Sequence, residues 1–117
     1  MSWLIDRLIT AVKAFVSHLP LSTRLSVGGN VEIHCAVWGY TEPNVTWYKG
    51  GEPVGDGDSR VRLLADDEKR PNRVLAIDNV QEGDRAEYSC TARNSHGRME
   101  RTTVLRVRGI DTHSDGY

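Results

Sequence analysis

Two cysteines and one tryptophan place the tightest constraint on what this chain can fold into. Cys35 and Cys90 lie far apart in the sequence, and Trp47 follows the first of them by one short strand and a turn. This spacing predicts one cysteine on each of two facing β-sheets, with the indole packed against both. Since there is no CxxC pair to hold zinc or exchange thiols, the cysteines are either one disulfide or two buried thiols.

The rest of the chain after Pro20 supports two facing sheets. Apolar and polar residues alternate in short runs that are separated by Gly, Pro, Asn and Asp, a pattern typical of an antiparallel all-β domain. The predicted strands cover residues 21–27, 30–38, 44–49, 60–65, 73–78, 86–94 and 98–108. Strands this short and closely spaced leave no room for a crossover helix, so we expect a Greek-key β-sandwich.

The N-terminal segment shows a different period. Its apolar residues fall three and four apart, which predicts an amphipathic α-helix over roughly residues 3–18 that ends before Pro20; they are Leu4, Ile5, Leu8, Ile9, Val12, Phe15, Val16 and Leu19. Charges at Asp6, Arg7 and Lys13 interrupt the segment and argue against a secretion signal or a membrane span. The expected division is a helix at 1–20, a β-domain at 21–108 and a flexible tail at 109–117.

Two motifs around the second cysteine carry a family resemblance. The runs are LAIDNVQEGDRAEYSC over residues 75–90 and DRAEYSCTARNSHG over residues 84–97. With them the chain resembles I-set immunoglobulin domains of cell-adhesion and muscle-scaffold proteins from about residue 25 to residue 107. The last strand, TVLRVR at residues 103–108, resembles that of the membrane-proximal domain in the basigin and neuroplastin group.

The resemblance assigns roles to four residues. It implies that Trp47 and Tyr88 lie in the core, that the Tyr88 hydroxyl bonds back to a tight corner beginning at Asp84, and that Arg60 pairs with Asp84. The sequence departs from the family at its start, because the usual first strand is expected to be missing, with the helix in its place.

Strand parity predicts which side chains face inward. With the cysteines, Trp47 and Tyr88 fixed inside, the further core positions are Val31, Ile33, Val37, Val45, Leu63, Leu75, Ile77, Ala92, Leu105 and Val107. One outer face is then unusually apolar and includes His34, Trp38, Leu64 and Val74. We expect the helix to dock there, with Trp38 near the centre; the alternative is that it finds a partner chain, a second copy or a membrane surface.

The opposite outer face is polar and rich in arginine. Tyr48, Arg93, Arg98 and Arg106 are the candidate interface residues, because tyrosine and arginine most often carry binding energy in protein interfaces. The formal net charge is −1, and the sequence has no run of basic residues of the kind that binds nucleic acid. We therefore expect a protein partner, and a homodimer is left open.

Other chemistry is not indicated. The histidines are scattered, Asp56-Gly57-Asp58 lacks the further carboxylates of a calcium loop, and no catalytic motif occurs, so we expect no metal, no cofactor and no enzyme. Asn44-Val45-Thr46 is a glycosylation sequon that is used only on the secretory route.

Two functions from different classes remain. One is a cell-surface adhesion module that binds through the arginine-rich face, which favours an extracellular location. The other is an intracellular structural domain like those of giant muscle scaffold proteins, in which the cysteines stay reduced. A third interpretation takes the helix as a grafted segment.

Overall fold

The alternation of apolar and polar residues produces an all-β fold in residues 12–55, 57–66 and 70–109, which are the residues that this computed structural model describes. The strands are β1 (Val12–His18), β2 (Ser22–Ser26), β3 (Val31–His34), β4 (Ala36–Tyr40), β5 (Asn44–Lys49), β6 (Glu52–Pro53), β7 (Val61–Leu64), β8 (Val74–Ile77), β9 (Ala86–Asn94) and β10 (Gly97–Arg108). A 3₁₀ turn at Glu82–Asp84 lies between β8 and β9. Each predicted strand is present, whereas β1 and the two-residue β6 were not predicted.

The strands form two layers. One layer has the order β2-β10-β9-β5-β6, in which β2 runs parallel to β10 and the other pairs are antiparallel. The other layer contains β1 paired with β4, and β3-β8-β7. Only Cys35 separates β3 from β4, and its backbone N–H donates to Arg73 O at 2.9 Å, so the two groups of strands continue into one another.

The prediction of an amphipathic helix in place of the first strand is wrong. Residues 12–18 form β1, which pairs antiparallel with β4 and sets Phe15 opposite Trp38. Strand geometry buries Ala14 and Val16 completely and leaves the Phe15 side chain between them exposed. The part of the chain that the structure describes contains no α-helix, and the predicted helical residues 3–11 lie outside it.

The first strand that was expected to be missing is therefore β1. The chain then passes Leu19 and Pro20 and enters the opposite layer as β2. Proline cannot donate a ladder hydrogen bond, which suits it to the point where the chain leaves one sheet for the other. The sandwich thus includes residues that lie before the expected boundary at residue 21.

The core lies between the layers around the Cys35–Cys90 disulfide. Trp47 is fully buried beside it, in register with Cys90 across β5 and β9, and its indole Nε1 donates to Asn72 O at 2.9 Å. Of the side chains predicted to face inward, Val31 and Leu63 are half-buried and the others are buried. Strand alternation therefore predicted the inward side chains of the expected strands, but it missed Ala14, Val16 and Leu19, which also belong to the core.

The outer face of β3-β8-β7 belongs to the surface on which the helix was expected to dock. Val74 and Ala76 on the middle strand are buried, although they point away from the core. The register places Val74 between His34 and Leu64 on the neighbouring strands. The expectation that a helix docks here is wrong for residues 12–18, because they pair with β4 as β1, and the remaining residues 3–11 lie outside the described part of the chain.

Candidate functional site

Three neighbouring strands, β10, β9 and β5, build the polar outer face. The ladder sets Arg98 opposite Arg93, which is in turn opposite Asn44 on the next strand. These residues line a groove of about 280 Å³ together with Thr46, Tyr48 and Thr91. Three of the four predicted interface residues, Tyr48, Arg93 and Arg98, therefore meet in one place.

The fourth predicted residue, Arg106, lies outside this groove. It is half-buried, further along β10, and is in register with Arg24 of the parallel strand β2. The face therefore has a basic pair at each end rather than one continuous basic patch.

The two arginines of the groove are an unusual cross-strand pair. Like charges directly opposite each other on neighbouring strands are destabilising, and an acidic neighbour normally offsets them. Within the described residues, the side chains of Arg93 and Arg98 make no hydrogen bond and no ion pair. Glu100, which lies on the same face, instead accepts a 3.4 Å hydrogen bond from Thr91 Oγ1. The groove thus presents two exposed guanidinium groups whose donors are free.

The corner residues predicted from the resemblance are also together, but they serve the fold. Arg60 Nη1 lies 2.8 Å from Asp84 Oδ2, and Arg60 Nη2 lies 3.2 Å from Asp84 Oδ1. The Tyr88 hydroxyl donates to Asp84 O at 2.6 Å, and Gln81 N donates to the Asp84 carboxylate at 2.7 Å. The corner is thus closed by hydrogen bonds within the domain.

Burial and hydrogen bonding act in opposite directions on the Asp84 carboxyl. Burial disfavours its charged form, but the bonds from Arg60 and Gln81 outweigh burial and lower the pKa of Asp84 below its ordinary value of 3.8. The same burial raises the pKa of the Tyr88 hydroxyl. Asp84 therefore stays ionised and Tyr88 neutral at physiological pH, as expected of structural groups.

An exposed aromatic patch lies on the other layer, where β1 pairs with β4. Trp38 is 61% exposed and Tyr40 49%, and Val12 and Phe15 lie opposite them in the ladder. The Trp38 indole donates to Ser17 Oγ at 3.0 Å, which holds the ring against β1. Exposed aromatic clusters often mark contact surfaces, and the residues that the structure describes do not cover this one.

Two residues whose side chains hold distant segments together by hydrogen bonds were not predicted from the sequence. Arg73 is only 3% exposed. Its guanidinium donates hydrogen bonds to Pro71 O, Pro43 O and the Glu42 carboxylate at 2.9 to 3.0 Å. Asn94, predicted as the last residue of the strand at 86–94, bonds through its side chain to the backbone of β1. A polar residue inside a strand pattern gave no local signal of either role.

Metal binding and membrane spanning can be checked among the described residues. These residues contain no cluster of three or more His, Cys, Asp or Glu side chains able to hold a metal ion, and Asp56 of the predicted acidic loop lies outside them. They also contain no helix of the length and apolarity needed to cross a bilayer. A larger cavity of about 540 Å³ lies beside β6 and β7, but the carboxylate of Asp84 in its lining is already bonded to Arg60.

A disulfide across two layers, an indole packed beside it and a tyrosine that closes the corner together define an immunoglobulin-like domain. The family model described as "Immunoglobulin I-set domain" matches residues 14–107. The chain therefore belongs to the I-set immunoglobulin family. Such domains are typically non-catalytic modules that mediate contacts between proteins.

The relatives come from different cellular settings. Smooth muscle myosin light chain kinase of Gallus gallus is 38% identical over 90 residues, which are 77% of this chain and 5% of that protein. Neural cell adhesion molecule 1-A of Xenopus laevis is 32% identical over 89 residues, which are 76% of this chain and 8% of that protein. This chain thus spans a small part of these relatives, and their whole activities do not transfer to it.

Solved structures share the fold. The N-terminal Ig1-2 module of the Drosophila receptor protein tyrosine phosphatase DLAR superposes with a TM-score of 0.72 at 28% identity, covering 83% of this chain and 46% of that one. The complex of titin M10 with the obscurin-like 1 Ig domain gives 0.73 at 25% identity, covering 84% and 96%.

Proposed function

We propose that this domain is a non-catalytic recognition module of the cell-surface adhesion type, and that it binds a protein partner through the face of β10, β9 and β5. The observation that carries the proposal is the groove in which Arg93 and Arg98 lie opposite each other, with no side-chain partner for either among the described residues. A folded domain gains nothing from two adjacent unpaired cations, whereas a partner that satisfies them gains charge-assisted hydrogen bonds.

Two further features support the cell-surface setting. Cys35 and Cys90 form a disulfide, and disulfides persist mainly in oxidising compartments. The relatives also include adhesion molecules such as neural cell adhesion molecule 1-A of Xenopus laevis. Tyr48, half-buried at the edge of the groove, adds a rigid aromatic surface beside the arginines.

The test is a cell-binding measurement with the full chain displayed as a multimer. Binding to intact cells is compared for the wild type, the triple variant Arg93→Ala, Arg98→Ala, Arg106→Ala, and the control Arg62→Ala. Arg62 is an equally basic residue on the opposite layer, where it pairs with Asp78 at the surface. We expect the triple variant to lose binding and the control to retain it; unchanged binding by the triple variant contradicts the proposal.

A second candidate function is an intracellular structural domain. It is favoured by the 38% identity to smooth muscle myosin light chain kinase of Gallus gallus, the highest identity among the relatives described above. The redox state of Cys35 and Cys90 in protein taken from its native source distinguishes the two functions. Free thiols support the structural domain, and a disulfide supports the adhesion module.

A further inference from the structure

We propose that the groove between Arg93 and Arg98 is a carboxylate-binding site, and that its ligand is an aspartate or glutamate side chain in an acidic segment of the protein partner. This inference rests on the proposed function, because it assigns the chemistry of the group that the same face binds. The site consists of Arg93, Arg98 and the other side chains that line this groove.

The geometry of the groove fits one carboxylate. Arg93 and Arg98 occupy directly opposite positions on antiparallel strands, and both side chains line the groove. A guanidinium presents parallel N–H donors that match the two oxygens of a carboxylate. Thr46 is exposed on the neighbouring strand and lines the same groove, so its hydroxyl is a further donor. A carboxylate between the arginines also removes their mutual repulsion.

The native acidic groups leave this place open. Glu100 lies on the same face but accepts from Thr91 Oγ1, and Glu87 lies further along β9 toward Arg106. The other ion pairs seen in the described residues involve Arg60, Arg62, Arg70, Arg73 and His34. Among the residues that the structure describes, no carboxylate is ion-paired with Arg93 or Arg98, so the groove has two cations and no bound anion there.

The distribution of charge favours an acidic protein segment over a polyanion. Glu100 and Glu87 interrupt the face between Arg98 and Arg106, and the formal net charge of the chain is −1. A sulfated or phosphorylated polymer needs a continuous basic track, because its affinity comes from many neutralised charges. An acidic side chain that reaches into one groove needs only the two local arginines.

The test is an NMR titration of the ¹⁵N-labelled full chain with an oligo-glutamate peptide. The protein is produced in bacteria, so that the sequon beginning at Asn44, opposite Arg93, carries no glycan. We expect saturable shifts of the Arg93 and Arg98 Nε–H signals and of nearby β5, β9 and β10 amides. Replacing Arg93→Ala and Arg98→Ala should weaken binding at least about tenfold, and Arg62→Ala should leave it unchanged.

Each contrary outcome has a definite meaning. Shifts of equal size in the double variant, or no saturable shift in the wild type, overturn the carboxylate site. Tighter and arginine-dependent binding of a heparin oligosaccharide at matched ionic strength also overturns it, because a polyanion is then the preferred ligand. If oligo-glutamate fails while the triple arginine variant still abolishes cell binding, the proposed function survives without this inference; if cell binding is unchanged, the proposed function itself fails.

Discussion

The side-chain amide of Asn94 joins the end of β9 to the first strand, 80 residues away in the sequence: its Oδ1 accepts the backbone N–H of Ala14 at 3.2 Å. Its Nδ2 donates to Val12 O at 2.8 Å and to Thr41 O at 3.0 Å. Further along β1, Arg101 Nε donates to Val16 O at 2.8 Å. Side chains of the opposite layer thus occupy backbone groups on the free edge of β1, which protects that edge from pairing with another chain.

Replacing Asn94→Ala should therefore destabilise the fold. The change removes four hydrogen bonds, one of them from His96 N to Asn94 Oδ1, and leaves the Ala14 N–H without this partner. The free energy of unfolding should therefore fall by about 1–3 kcal/mol. Urea denaturation measures this loss, and hydrogen exchange should show faster exchange at Ala14. Ser95→Ala at the neighbouring exposed position is the control and should match the wild type; equal stability of the two variants would show that the bridge contributes nothing.

Gly39 should be the least tolerant glycine in this region. A Cβ there would lie 2.9 Å from Pro43 Cγ and 3.1 Å from Ala14 Cα, and the second of these is a backbone atom that cannot rotate away. Gly39→Ala should lower the free energy of unfolding by about 1–3 kcal/mol, the usual cost of overpacking. Gly83→Ala is the matched control, because a Cβ at Gly83 meets nothing within 4 Å. Thermal unfolding of both variants checks the difference.

The Arg60–Asp84 pair should make stability depend on acid pH. Because the pKa of Asp84 is lowered in the folded state, its contribution is complete above its ordinary value of 3.8 and is lost as pH falls through the lower folded pKa. At pH 7, Asp84→Asn should cost about 1–3 kcal/mol of unfolding free energy. Urea denaturation at a series of pH values should show this difference shrinking below about pH 4.

Asp58→Asn is the control for that series. Asp58 also pairs with Arg60, at 3.1 Å, but its side chain is far more exposed than that of Asp84. An exposed pair is worth about 0–1 kcal/mol, so this variant should follow the wild-type curve. A difference between wild type and Asp84→Asn that stays constant from neutral to strongly acidic pH would contradict the assignment of the low pKa to Asp84.

Reduction of the Cys35–Cys90 disulfide should cause the largest single loss of stability. The bond joins residues 55 positions apart, and cross-linking a loop of that length contributes on the order of 4 kcal/mol. Urea denaturation with and without a reducing agent measures the effect. The control is the double variant Cys35→Ala, Cys90→Ala, which should be destabilised in both conditions and insensitive to the reductant. Wild-type unfolding curves that superimpose with and without reductant would refute the prediction.

The sequence by itself determined the all-β fold, the strand bounds of β5 and β9, and the inward set around Trp47 and the cysteines. These features are local or nearly so, because alternating side chains point to opposite faces of any strand. The groove residues on β5 and β9 could also be placed on one face by parity. That Arg98 lies directly opposite Arg93 depends on the register set by the Asn94–Gly97 turn.

Only the tertiary structure decided the state of residues 12–18. Val12, Phe15 and Val16 fit a helical period. In the folded chain, however, β4 has an edge of unpaired backbone groups, and residues 12–18 pair with that edge as a strand, which also buries Ala14 and Val16. The hydrogen bonds of the Asn94 and Arg73 side chains could not be predicted from the sequence either, since each of these side chains joins segments that are distant in sequence. The local sequence pattern specifies which side of a strand faces the core. Contacts that exist only in the folded chain decide which strand each strand pairs with and which groups each buried polar side chain bonds to.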